Sequence, residues 1–221
     1  MYKNNFSEPE VIRNIHSEIK RYDVINYLIK KYNLINYLEI GVFQGENIRK
    51  INIPHKDGVD PGAEGYIVPE VNYPITSDAF FDLIKEYDDI KYDIIFIDGL
   101  HHADQVEKDI KNSLKHLVNN GFIILHDCNP ASYEAQLVPR QTIAWTGDVW
   151  KAFVTFRFKY PNFKTCVIDM DFGIGVIQNC SDYKGPSIPE MEIQIQEWEY
   201  FNENKKELLN LITWDEFKTT Y

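Results

Sequence analysis

No stretch of this 221-residue chain approaches the roughly 20 consecutive apolar residues that a bilayer-spanning helix needs, so no membrane partner is expected. Cysteine is scarce. Cys128, Cys166 and Cys180 form no Cys-x-x-Cys pair and no even-numbered set, which argues against a disulfide framework and a compact zinc site. Positive charge is also short: 23 Lys and Arg stand against 34 Asp and Glu, a formal net charge of −11. A field of that sign repels nucleic acid, whose binding relies on neutralising phosphates, and the basic residues are scattered rather than striped. Met1-Tyr2-Lys3-Asn4-Asn5-Phe6 lacks the apolar core of a signal segment. With the cysteine usage, this gives the cytoplasm as the expected location. Repeats and low-complexity segments are missing too. What is present is a hydrophobic fraction of 44%, enough for a sizeable core in one domain with terminal additions.

The stretch that organises the rest is Leu38-Glu39-Ile40-Gly41-Val42-Phe43-Gln44-Gly45. Apolar residues lead into it as for a buried strand. An acid follows near the strand end, then two glycines four apart. Gly41 removes the Cβ where the chain must turn under a ligand, and Gly45 opens the next helix. Such strand–turn–helix units bind nucleotide-like cofactors at the carboxyl edge of a parallel sheet. A dinucleotide fingerprint needs glycine two positions after the first; here that position is Phe43, which would block a pyrophosphate. Asp60, 19 residues beyond Gly41, suits ribose hydroxyls, although Asp60-Pro61 is also a turn signal.

Before this unit, Ser7-Glu8-Pro9-Glu10 reads as a capping box for a first helix, and a second covers Val24 to Lys31. After it, a short helix covers Glu46 to Ile51. A second strand spans Asp57 to Pro61, and a third is expected at Tyr73 to Thr76, with Ser77 capping a helix. Tyr92 to Asp98 and Gly121 to Asp127 are continuous apolar strands, separated by a helix over Ala103 to Val118. Cys128 to Trp145 has no periodicity, and a helix follows through Tyr160. Phe163 to Met170 and Ile174 to Gln178 are joined so tightly that they must pair antiparallel. The alternation predicts an α/β, Rossmann-like, doubly wound seven-stranded sheet with a terminal antiparallel hairpin. Residues 1–180 form that domain and 181–221 a C-terminal helical extension, with a capping box at Thr213-x-x-Glu216. The tail's apolar residues either dock on the core or pair two subunits, so a homo-oligomer is one expectation.

Glu39-x-Gly41-x-x-x-Gly45, Phe96-Ile97-Asp98-Gly99-Leu100-His101, Leu125-His126-Asp127-Cys128-Asn129-Pro130 and Gly147-Asp148-Val149-Trp150-Lys151 together resemble class I S-adenosylmethionine-dependent methyltransferases. The resemblance covers about residues 36 to 178 and points to the methyltransferase domain 24 type, which includes bacterial sugar and small-molecule methyltransferases. It implies S-adenosylmethionine as cofactor, met by Glu39, Gly41, Gly45, Asp60, Ser77, Asp78 and Asp98. It also implies a small-molecule acceptor such as a sugar or nucleotide sugar, in a surface-polysaccharide or natural-product pathway. Related enzymes bind a divalent cation through an acid after the fourth strand and an Asp-Asp or Asp-Asn pair after the fifth. Asp98 and Asp127 match two of those places as metal ligands for Mg²⁺ or another divalent cation; Cys128 departs from the third.

The chemistry of these residues fits such a transfer. The cofactor arrives activated, so the protein supplies alignment and a deprotonated oxygen. Asp98, Asp127 and His101 are the catalytic candidates, with His101 as the base because its ordinary pKa lies near neutrality. His126 reads as a buried, hydrogen-bonded histidine. Trp150 could offer a face to a sugar, beside Asp148 and Lys151. The contrasting reading is a non-catalytic cofactor-binding or assembly protein with a degenerate site.

Overall fold

The computed structural model describes residues 18–63, 65–180, 183–185 and 197–221. The expected helix after Ser7 lies outside them. Seven strands form one sheet: β1 (Asn36–Ile40), β2 (His55–Val59), β3 (Tyr92–Ile97), β4 (Leu117–Leu125), β5 (Lys164–Ile168), β6 (Ile174–Gln178) and β7 (Leu211–Ile212). Their spatial order is β2-β1-β3-β4-β6-β5-β7. β1 to β4 run parallel, β6 runs antiparallel to both β4 and β5, and β7 is parallel to β5. The order reverses between β1 and β3, and that switch point is where such sheets open a crevice at their carboxyl ends.

The helices among the described residues are α1 (Arg21–Tyr32), α2 (Ser77–Ile84), α3 (Ala103–Lys115), α4 (Tyr133–Gln136), α5 (Val149–Lys159), α6 (Trp198–Leu208) and α7 (Trp214–Thr220). Successive residues of the central strands feed opposite faces, as the period of two requires. Leu38, Ile40, Ile95, Ile97, Ile123 and Leu125 pack with α2, α3, α5 and α6. Tyr37, Ile94, Phe96, Phe122 and Ile124 pack with α1 and α7. With both faces covered, these strands are apolar throughout, which is why their sequences show no polar alternation.

Three expectations are corrected. Tyr73 to Thr76 is not a strand; only an isolated bridge joins Val59 to Tyr73. Pro74 has no N–H to donate, and the amide of Ile75 turns back to the Tyr73 carbonyl, so the ladder stops after one step. The cap of α2 is Thr76, whose hydroxyl accepts from the Ala79 amide, and Ser77 is the first helical residue. The segment after Gly45 forms only a single 3₁₀ turn, Ile48–Lys50. Elsewhere the boundaries shift by a few residues. The α3 helix stops at Lys115 because His116 leaves helical geometry and β4 begins at Leu117.

The seventh strand therefore comes from the tail. β7 borders β5, and the helices on either side of it anchor on opposite faces. Phe201 stacks on Trp150 with centroids 3.9 Å apart, while Phe217 stacks between Trp214 and Tyr221. The capping box at Thr213 and Glu216 is formed, with the Glu216 amide donating to the Thr213 hydroxyl at 3.2 Å. Of the two roles left open for the tail, the described part docks on the core. Trp150 is fully buried there, so it offers no face to a sugar.

Truncating Phe217, which is fully buried, should cost about 3–5 kcal/mol, the usual range for a core Phe→Ala change. Urea unfolding of Phe217→Ala should show a lower midpoint with an unchanged slope. A midpoint equal to the parent's would mean that the tail does not share the cooperative core.

Candidate active site

β1 ends at Ile40 and β3 at Ile97, side by side in register. Gly41 follows with φ +87°, and a Cβ there would fall on the carbonyl oxygen of Asp98. The glycine is thus required by the neighbouring strand's exit as well as by any ligand crossing the turn. Asp98 follows β3, and His126 and Asp127 follow β4. The tight link between β5 and β6 returns to the same end of the sheet, because β6 starts opposite the end of β4. It delivers Asp171.

The side chains of these segments meet. His101 Nε2 donates to Asp98 Oδ1 at 3.2 Å. Its Nδ1 lies 3.1 Å from Asp127 Oδ2, but outside hydrogen-bonding geometry. His126 Nδ1 sits 3.2 Å from Asp98 Oδ1 and 3.3 Å from Asp127 Oδ1. Behind it, His126 Nε2 is 3.7 Å from Asp171 Oδ2. The start of α1 completes the group. Arg21 Nη1 pairs with Asp171 Oδ2 at 3.2 Å, its Nε lies 3.7 Å from Asp98 Oδ2, and its amide donates to Asp171 at 3.0 Å.

The charges follow from this arrangement. Burial alone would push the Asp98 carboxyl up, but the charges and hydrogen bonds of His126 and His101 hold it well below the carboxylate range. Burial would favour neutral histidines, yet the facing aspartates raise His101 above its ordinary 6.5 and His126 well above it. Asp171, also buried, is held low by His126 and Arg21. The cluster prefers to carry bound positive charge.

His101 is held from two sides. Its backbone takes φ +60°, and the Asp148 amide donates to its carbonyl at 3.2 Å. Gly147 lies so close that any Cβ would strike that carbonyl. The Trp145 ring stacks on the imidazole at 5.3 Å and 21°, fixed by its indole N–H to the Leu137 carbonyl at 2.7 Å.

The three catalytic candidates thus come together, and the donor atoms of Asp98, His101 and Asp127 all lie within 4.8 Å of one another, a spacing that fits a bound cation. Cys128 stays out of this group; its sulfur is buried, and burial first and Asp127 second push its thiol well above the ordinary value. The remaining candidates are spread around the crevice. Asp60 accepts from the Phe43 and Gly62 amides at 2.8 and 2.7 Å, which fixes the turn after β1 against the end of β2. Gly45 lies beside the Arg49 guanidinium. Ser77 and Asp78 are bound to the Gln105 amide at 3.2 and 3.0 Å rather than to the cluster. Glu39 is buried beneath the turn, accepting from the Tyr37 hydroxyl and, at 2.8 Å, from the Asn47 amide.

Sequence reasoning missed Arg21 and Asp171 and assigned no task to His126 and Trp145. Asp171 carried a usable signal, because it opens the short Asp171-Phe172-Gly173 link that must close β5 onto β6; in the structure all three residues take positive φ. Arg21 carried none, since nothing local says where the first turn of α1 will dock.

Residues 59–128 match a family described as methyltransferase domain. No curated protein matches the chain. Several solved structures share the fold. An O-methyltransferase from Bacillus cereus in complex with S-adenosylhomocysteine is 14% identical with a TM-score of 0.53, over 76% of this chain and 85% of that one. The O-methyltransferase TomG from Streptomyces achromogenes, involved in tomaymycin synthesis and in complex with S-adenosylmethionine, is 11% identical with a TM-score of 0.51, over 79% and 91%. The S-adenosylhomocysteine-bound methyltransferase PaMTH1 from Podospora anserina is 13% identical with a TM-score of 0.51, over 79% and 89%.

The environment of Glu39 gives a pH dependence. Burial raises its carboxyl to about 7, against the opposing hydrogen bonds from Tyr37 and Asn47. A raised folded-state value means stability that is complete below about 4.5 and is lost as pH climbs to 7, by roughly 3 kcal/mol for a shift of this size. Denaturant unfolding between pH 4.5 and 8 should show that decline in the parent, and Glu39→Gln should flatten it. An equally steep decline in the variant would place the titrating group elsewhere.

Proposed function

We propose that this chain, which has the class I methyltransferase fold, transfers a methyl group from S-adenosylmethionine to a hydroxyl oxygen of a small polar acceptor such as a sugar or nucleotide sugar. The observation that carries this reading is the cluster of Asp98, His101 and Asp127, seated where the crevice between β1 and β3 opens and next to the crossing of Gly41. The cofactor would lie along the ends of β1 and β2, across the turn that Asp60 holds. The cluster faces the acceptor side.

The residues divide the work accordingly. Methyl transfer is an in-line displacement, so the acceptor oxygen must be lined up with the methyl carbon and stripped of its proton. Asp98 holds the His101 imidazole through a hydrogen bond, the Asp127 carboxylate lies against its other nitrogen, and Trp145 fixes its plane. The cluster takes the hydroxyl proton, and it can do so only after giving up its own. The same three side chains fit a divalent cation such as Mg²⁺, which when bound would lower the pKa of an acceptor hydroxyl.

Two measurements test the reading. Calorimetry should show S-adenosylhomocysteine binding and no binding of NAD. Asp60→Ala should weaken the former by no more than a few kcal/mol, the worth of hydrogen bonds to a charged acceptor. An unchanged affinity in folded Asp60→Ala would move the cofactor elsewhere. With a panel of sugars as acceptors, turnover should rise with pH through a value above 6.5, because the aspartates keep the proton on His101. Asp127→Asn should move that limb down. His101→Ala should lower turnover by roughly 10²–10⁴-fold, the usual range for proton-transfer catalysis. Full turnover in His101→Ala would sink the acceptor-activation role.

A further inference from the structure

We infer that Trp198, the first residue of the tail helix α6, is a positioning residue for His101, and that it acts through Tyr133 and the single turn of α4. Its effect on turnover rests on the function proposed above; its effect on the place of the imidazole does not.

The segment from Trp145 to Asp148 sets both the ring plane and the carbonyl of His101. That segment hangs on α4. The Ala135 carbonyl accepts the Thr146 amide at 2.9 Å and the Thr146 hydroxyl at 3.1 Å. The Leu137 carbonyl, just beyond the helix, accepts the Trp145 indole N–H at 2.7 Å. Any shift of α4 is therefore passed to the ring that stacks on His101.

A helix of four residues does not stand alone, because the nucleating turn fixes several dihedrals for each hydrogen bond it gains. Ser132 caps its start, accepting the Ala135 amide at 3.2 Å. The tail grips it at both ends. At the first residue, the Tyr133 ring meets the Trp198 ring edge-on at 5.9 Å. At the last, Gln136 Oε1 accepts the Trp150 indole N–H at 3.4 Å. Trp150 is stacked on Phe201, which lies 5.8 Å from Trp198. Edge-on aromatic pairs fix orientation as well as distance.

The position of the Tyr133–Trp198 pair marks its task as local. Tyr133 is 47% exposed and Trp198 half-buried, so the contact adds little to the core that holds the sheet. What it does hold is the far end of the support under Trp145. A proton acceptor must lie within about 3 Å of the atom it deprotonates. A displacement of about 1 Å is enough to lose much of its worth.

The test uses the full chain and proton NMR of the imidazoles. The parent's His101 ring protons should sit upfield, shielded by the stacked Trp145 ring. In Trp198→Ala and in Tyr133→Ala they should move toward the unshielded position. The His116 ring, stacked on Phe81 and outside this line of contacts, should not move. With a sugar that the parent methylates, kcat should fall roughly three- to thirtyfold, the usual span for such indirect coupling, with S-adenosylhomocysteine affinity unchanged. Trp198→Phe should recover most of the loss. The double variant should match Trp198→Ala, because the two residues act in series. Unmoved His101 signals, equal movement of His101 and His116, or a double loss equal to the product of the single losses would each overturn the inference. If Trp198→Ala does not fold, Tyr133→Ala, at its exposed position, decides by the imidazole signals alone. The two proposals fail separately. A parent that binds no S-adenosylhomocysteine removes the methyltransferase reading and leaves the imidazole signals to decide this one; cofactor binding with unmoved signals removes this one alone.

Discussion

Three aspartates converge at one end of the sheet, and they can be buried together only because cations reach them from other parts of the chain. Asp98 leaves β3, Asp127 leaves β4 and Asp171 sits in the link between β5 and β6. His126 stands among all three, Arg21 and Lys20 arrive from the start of α1, and His101 closes the near side. Removing one partner from such a group leaves an uncompensated buried charge, which is far costlier than losing a surface pair. The seating of α1 and the closure of the hairpin are therefore coupled to the same carboxylates that face the crevice.

Electrostatic coupling explains why the ends of the chain's elements matter more here than their middles. Asp171 accepts the Arg21 amide, so a carboxylate from the hairpin serves the first turn of a helix remote in sequence. Asp148 does the same for α3, accepting the Ala103 amide at 2.8 Å while its own amide holds the His101 carbonyl. Side chains in the connecting segments thus fix helix starts, and helix starts in turn fix the catalytic candidates. Glu39 belongs to a second polar group beneath the first, where Tyr37 and Asn47 satisfy it without a cation, and its carboxyl is pushed up rather than down.

Much of this was legible in the sequence, and the parts that were not share a cause. The strands at Tyr92 and Gly121, the antiparallel hairpin and the turn at Gly41 show themselves through local pattern: apolar runs, a short link and a glycine before a helix. Asp98, Asp127 and His101 were legible as a group because strand order brings successive carboxyl ends together. Tyr73–Thr76 misled because its composition suits a strand, while the single proline that stops the ladder acts through hydrogen bonding with β2. Trp150 misled because an aromatic near a helix start looks available until Phe201, about fifty residues later, covers it. Arg21 and β7 were invisible for the same reason: their roles depend wholly on tertiary docking, and a two-residue strand has no period to detect.

The position of β7 bears on how the chain assembles. Among the described residues, β5 obtains its outer partner from Leu211 and Ile212, more than forty residues further along the chain. An unpaired edge beside an apolar strand is a template for another copy of the chain. The tail's short strand thus covers an edge that would otherwise be open to pairing with a second chain, so the last helices and β7 contribute to keeping the sheet from recruiting another copy.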